Sequence, residues 1–128
     1  MNFFKSFFGE NQEKNNKSLA WNPLTEVSQF DTIEEESKSK CVIVFKHSTR
    51  CGISRFALSN FESAYSISEE DAKLYFLDIL SNRDVSNSFS ARFDVIHESP
   101  QLIIIKNRKA VYNESHGQID AEKIAEFI

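Results

Sequence analysis

A chain of 128 residues, 41% hydrophobic and 27% charged, suits one soluble domain with its own core and excludes global disorder. Its formal charge of −4 leaves no basic excess to neutralise phosphates, which excludes nucleic acid as the main partner. Two cysteines, Cys41 and Cys51, are too few for a disulfide framework, and no apolar run reaches the ~18 residues that suggest a membrane span.

At the N-terminus, Phe3, Phe4, Phe7 and Phe8 fall on one face of a short helix that Gly9 would stop. Two helical turns bury too little area for stable membrane attachment, so docking or ordering on contact is expected. The segment lacks the apolar stretch and cleavage site of a signal peptide, and a cytoplasmic protein with reduced thiols is expected. Glu10 to Ser18 reads as a polar linker, which divides the chain into an N-terminal segment, 1–18, and a domain, 19–128.

Leu19 to Leu24 reads as a strand, kept to a sheet edge by Pro23. A helix follows, capped by Thr25 or Ser28, with Val27, Phe30 and Ile33 near one face. The run Glu34, Glu35, Glu36 reads as a solvated helix face rather than a metal or acid–base site. Cys41 to Phe45 is a continuous apolar run, the pattern of a central buried strand. After Cys51, the spacing of Ile53, Phe56, Ala57, Phe61 and Ala64 predicts an amphipathic helix to about Tyr65. Ala72 to Ile79 reads as a second buried strand. A helix over about Arg83 to Phe93 follows, with Val85, Phe89 and Phe93 on one side and Ser81 or Asn82 as cap. Gln101 to Lys106 is a strand, Asn107 to Ala110 a turn, and Val111 to Glu114 its hairpin partner. Gly117 ends that strand, Asp120 caps, and Ile124, Phe127 and Ile128 mark a last helix.

The order β-α-β-α-β-α-β-β-α fits an α/β fold, a thioredoxin-like three-layer sandwich on a mixed central sheet. Its βαβ units should be parallel and its terminal hairpin antiparallel. In that fold a buried strand delivers a cysteine to the first turn of a helix. The free N–H groups and the dipole there favour a thiolate, the nucleophile of thiol–disulfide exchange. Cys51 holds that place. Lys46, His47 and Arg50 precede it closely and Arg55 follows one turn later, so cationic side chains add to the field. Where dithiol oxidoreductases carry a second cysteine, this chain has Ser54. Ser54 could hydrogen-bond the thiolate but cannot close a disulfide, which points to one-cysteine exchange. Cys41 is expected at the far end of its strand, beyond the ~7 Å between Cα atoms that a disulfide allows, as a structural core residue. Ser99-Pro100, just before a buried strand, is where such a fold places a cis-proline opposite the cysteine, with the Ser99 backbone free to pair with a bound peptide. The turn residues His47, Ser48, Thr49 and Gly52 complete the expected substrate contacts. His97 is a candidate acid–base group or ligand contact, and equally a loop histidine facing water. The spacing of His47, Cys51, His97 and His116 matches no metal-binding pattern, so no metal and no bound cofactor are expected.

Phe45 to Ser54, His97 to Gln101, and Ser115-His116 resemble the monothiol bacilliredoxins, the YtxJ-type proteins of the bacillithiol redox system, over about Trp21 to Ile128. The resemblance implies a thioredoxin-like fold with one active cysteine, matching Cys51. It also implies removal of bacillithiol from S-bacillithiolated client proteins, with bacillithiol as thiol co-substrate. Gly52 departs from the proline common after the cysteine in that family. Cys-Gly-Ile-Ser also resembles the Cys-Gly-Phe-Ser of monothiol glutaredoxins, which bind glutathione and an iron–sulfur cluster. Those need a Gly-Gly pair after the last core strand, and the three glycines here are Gly9, Gly52 and Gly117. A non-catalytic thioredoxin-like interaction module is the remaining alternative. The expectation is a monomeric exchange protein whose partners are S-thiolated clients and a small thiol.

Overall fold

The structure, a computed structural model, describes residues 19–128. The helix expected over the N-terminal phenylalanines and the linker after it lie outside the described residues. The elements are β1 (Trp21–Pro23), α1 (Gln29–Glu36), β2 (Cys41–His47), α2 (Gly52–Ala64), β3 (Ala72–Asp78), α3 (Arg83–Phe93), β4 (Gln101–Lys106) and β5 (Lys109–Ser115). Two 3-10 stretches close the chain, His116–Gln118 and Ala121–Phe127. The expected last α-helix is therefore a 3-10 helix, started by Asp120, whose carboxylate accepts the Glu122 N–H at 3.0 Å.

The five strands lie in the order β1-β3-β2-β4-β5. β1 and β2 run parallel to β3; β4 runs antiparallel to β2, and β5 antiparallel to β4. β2 is flanked on both sides and covered on both faces, which is why all seven of its residues are buried. It continues through Lys46 and His47, two residues beyond the expected strand. The crossover from β3 through α3 is a correction to the parallel reading. β3 exits and β4 starts at the same end of the sheet, where Gln101 faces Lys46 near the end of β2. A parallel connection would have had to return to the opposite end.

Alternation along β2 divides the core. Val42 and Val44 pack with Phe30, Ile33, Leu77, Phe89, Phe93 and Ile103 under α1 and α3. Cys41, Ile43 and Phe45 pack with Ala57, Phe61, Leu74, Leu102 and Ile104 under α2. Full burial of one such aliphatic or aromatic side chain contributes about 1.5–3 kcal/mol. Val27 departs from its expected face and is 46% exposed, because it precedes α1 and lies outside the helical repeat. The helix start is also held differently from expectation. The Ser28 side chain makes no cap bond, and Gln29 Oε1 accepts the N–H groups of Thr25 and Glu26 instead.

The glutamate run is not simply solvated. Glu34 pairs with Arg92 at 3.0 Å and with Arg108 at 3.4 Å, and Glu36 pairs with Lys73 and accepts the Tyr75 hydroxyl. These contacts tie α1 to α3, to the β4–β5 turn and to β3. Among the described residues, no helix is long and apolar enough to cross a membrane.

Candidate active site

β2 ends at His47, the chain turns through Ser48, Thr49 and Arg50, and Cys51 is the N-cap of α2 with extended backbone (φ −102°, ψ 122°). The turn is closed by the Cys51 N–H on the Ser48 carbonyl at 3.1 Å, and the Cys51 carbonyl accepts the first helical bond from Arg55 at 3.0 Å. Arg55 also donates to the Thr49 carbonyl at 3.3 Å. The cysteine is half-buried, and its side chain makes no capping bond to the helix. Its sulfur thus stands at the positive end of a 13-residue helix, with Arg50 and Arg55 exposed around it. Ile53 and Phe56, on the same helix, are 62% and 69% exposed.

Ser54 and His47 lie beneath the turn. The Ser54 hydroxyl is fully buried and accepts the Ser48 N–H at 3.0 Å, and it lies 2.8 Å from Nδ1 of His47. His47 is itself buried and packs against Phe76 with ring centres 5.4 Å apart. Burial pushes the His47 imidazole below its usual pKa; Asp78 and Glu62 oppose this and Arg55 reinforces it. Ser54, expected to support the thiolate, has the strand end and the turn as its partners, and it fixes both to the first turn of α2.

Lys46 is not brought to the sulfur. Alternation along β2 sends it to the face opposite α2, where Nζ donates to Ser90 Oγ at 2.9 Å, lies 3.2 Å from His97 Nδ1, and sits 5.3 Å from the Phe89 ring centre. The side chain is fully buried, and desolvation lowers its pKa to about 8.

The peptide bond between Ser99 and Pro100 is cis, as the sequence position suggested. The register of Lys46 with Gln101 sets this loop beside the end of β2, where the chain leaves for Cys51. Buried Gln101 pins the loop from within, donating to the Ile96 carbonyl at 2.9 Å and accepting the Glu98 N–H at 3.2 Å. The Pro100 carbonyl accepts the N–H of His116, a residue with left-handed backbone (φ 55°), and His116 Nδ1 is 3.5 Å from Glu98. The His116–Gln118 turn also packs on α2, so the loop, this turn and the cysteine helix meet at one end of the sheet. The Ser99 hydroxyl is buried and makes no hydrogen bond among the described residues.

Cys41 starts β2, the full strand away from Cys51, and both cysteines are free thiols. Burial raises the Cys41 thiol to about 11.

Residues 22–124 match the family model of monothiol bacilliredoxin BrxC. The chain belongs to the monothiol bacilliredoxin family. This bacilliredoxin is similar to a solved candidate oxidoreductase with a thioredoxin fold: 34% identity, TM-score 0.70, covering 83% of this chain and 91% of that one. The thioredoxin of Fasciola hepatica shares the fold at 20% identity and TM-score 0.63, covering 84% of this chain and 95% of its own. Thioredoxin from Malassezia sympodialis does so at 16% identity and the same TM-score, covering 87% and 89%. Family and fold together make this a thiol redox protein.

The buried contacts of this bacilliredoxin join residues far apart in the sequence, Lys46 to Ser86, Ser90 and His97 among them. Nearness to the cysteine or the proline singles out Ser54, His47, Lys46 and His97 in the sequence, but it does not pair Ser54 with His47 or Lys46 with His97, and it gives no sign of Gln101, Ser86 or Ser90. Strand alternation was the available signal: one step along β2 separates Lys46 from His47, so the two must leave on opposite faces.

Proposed function

We propose that this bacilliredoxin performs one-cysteine exchange on mixed disulfides between client proteins and a small thiol, with bacillithiol as that thiol. The observation that carries the reading is Cys51 at the N-cap of α2, half-buried and uncapped, with a serine rather than a second thiol three residues on. The Cys51 thiolate attacks the small-thiol sulfur of the mixed disulfide. A new S–S bond forms between Cys51 and the small thiol, the old S–S bond breaks, and the client leaves as its thiolate. A second small thiolate then attacks the small-thiol sulfur held on Cys51, forming a symmetric small-thiol disulfide and returning Cys51 as thiolate. In net terms the mixed disulfide is reduced by two electrons to the client thiolate and one small thiolate, two small thiolates supply those electrons as they join in the symmetric disulfide, and the protein is unchanged.

Arg50, Arg55 and the first N–H groups of α2 stabilise the attacking thiolate. The exposed turn and the Ser99-Pro100 backbone orient the substrate, and Ile53 and Phe56 offer a client apolar contact beside the sulfur. The reaction belongs in a reducing cytoplasm, where the second thiol is plentiful, and a monomer suffices for it.

Mass spectrometry of the protein after exposure to an S-bacillithiolated peptide tests this reading. Bacillithiol on Cys51, with release of the free peptide, is the expected result. Glutathione acceptance with no transfer from bacillithiol would move the assignment to the glutaredoxin class. No transfer from either thiol would leave a binding module.

A further inference from the structure

The exchange step leaves the buried Lys46 unused. We propose that Lys46 is a positioning residue: through its hydrogen bond to His97 it helps hold the Ser99-Pro100 loop in place for substrate, and protonation of His97 loosens that loop. The kinetic arm of the test rests on the exchange reading above; its spectroscopic arm does not.

Lys46 is fully buried, and the partners its ammonium reaches are neutral. These are Ser90 Oγ at 2.9 Å, the Ser86 carbonyl at 3.5 Å and His97 Nδ1 at 3.2 Å, beside the face of Phe89. An ammonium has three donors and no acceptor. Nδ1 of His97 therefore accepts, and its proton sits on Nε2. A proton added at Nδ1 sets N–H against N–H and charge against charge, and the bond to Lys46 is lost. Ser86 Oγ, 3.4 Å from the same nitrogen, serves a neutral or a charged ring equally.

The charges facing His97 are Lys46 from β2, Arg83 from α3 and Glu98 from its own loop, and Glu98 also faces His116 after β5. Partial desolvation, then Lys46 and Arg83, push the imidazole below its usual 6.5, with Glu98 opposing. His97 is thus neutral at pH 7, where Lys46 is still mostly charged. The ring lies between Ile96 and Glu98, whose carbonyl and N–H are the two groups that Gln101 holds. A lost Lys46 bond removes one of the loop's ties; Gln101 and the Pro100 carbonyl's bond from His116 still hold it, but more loosely before Ser99, so substrate binding weakens while the sulfur chemistry at Cys51 is untouched.

The test compares wild type with His97→Asn, His97→Leu and Lys46→Met, using an S-bacillithiolated peptide between about pH 5 and 8. In wild type, KM is expected to climb about tenfold as pH falls through the His97 titration, a loss of about 1.4 kcal/mol. His97→Asn puts a non-titrating amide oxygen near the place of Nδ1, so it keeps the neutral KM and loses the climb. His97→Leu and Lys46→Met carry the raised KM at every pH, with kcat within twofold of wild type. A flat wild-type KM, or a wild-type KM in His97→Leu, overturns the proposal. Should Lys46→Met fail to fold, the two His97 variants decide, since that side chain is exposed. Should no form exchange disulfides, the amide NMR resonances of Glu98 and Gln101 decide. They are expected to titrate with His97 in wild type and not in His97→Asn; silence in wild type sinks the inference.

Discussion

The Ser54 hydroxyl lies 2.8 Å from Nδ1 of His47 and takes the N–H of Ser48, so one buried oxygen joins the end of β2, the turn and the first turn of α2. Replacing it by alanine leaves a buried imidazole nitrogen and a half-buried backbone N–H without that partner. An unsatisfied buried group costs about 1–3 kcal/mol. Ser54→Ala should therefore lower the urea-derived stability by about 1–3 kcal/mol. Alkylation of Cys51 should slow or quicken no more than a few-fold, because the hydroxyl is engaged below the sulfur rather than with it. A tenfold fall in alkylation at unchanged stability would reverse that assignment and make Ser54 a thiolate donor.

The order of elements was legible because helices and strands imprint their periods. α3 falls at the expected Arg83–Phe93, with Val85, Phe89 and Phe93 buried. The direction of β4 was not legible. An apolar run such as Leu102 to Ile105 reads alike in both directions, and only the loop from Val95 to Pro100 sets which end of the sheet it starts from. Within the site, the place of Cys51 and the cis bond at Pro100 followed from element order. The destination of Lys46 did not follow from its charge. A lysine five residues before a thiol suggests an electrostatic partner, yet the pleat turns it to the other face, where α3 supplies two serines and an aromatic ring.

Two histidines should make the fold acid-sensitive. Burial sets the folded-state pKa of His47 below the ordinary 6.5; that of the exposed His97 is lowered by partial desolvation and by the nearby Lys46 and Arg83, an effect that solvent screens. The unfolded chain therefore binds more protons in the window below that value. Their contribution is fully present above about pH 6.5 and is lost as pH falls through the lowered folded values. Urea midpoints at pH 7.5 and 5.0, above the ordinary carboxylate range, should show wild type weakening on acidification. His47→Asn should remove the larger part of the slope and His97→Asn a smaller part, with the double variant losing most of it. A double variant with the wild-type slope would place the titration elsewhere.

Gly52 is open to proline. It is the first helical residue of α2, its φ is not positive, and a Cβ built there meets Arg55 Nη2 at 3.9 Å, an ordinary contact. Cys51 before it is already extended, as a residue preceding proline must be. Gly52→Pro should therefore stabilise the protein by about 0.4–1 kcal/mol, mainly by narrowing the unfolded ensemble. Its Tm should rise by about 2–4 °C. The variant also deletes one N–H at the helix end, so the rate of Cys51 alkylation should fall modestly. A lower Tm would mean that the turn needs a freedom its backbone angles do not show.

The two cysteines should separate cleanly by reactivity. Cys41 is buried at the start of β2 with a thiol near 11, so at pH 7 only about one molecule in ten thousand carries its thiolate, and that thiolate is shielded. Cys51 is half-buried at a helix end. Iodoacetamide at pH 7, followed by peptide mass spectrometry, should label Cys51 in the folded protein and reach Cys41 only after denaturation. Cys51→Ala should abolish exchange, while Cys41→Ala should retain it at a stability cost of about 1 kcal/mol for the small cavity. Equal loss of exchange in the two variants would mean that both sulfurs take part, which requires the full length of β2 to open between them.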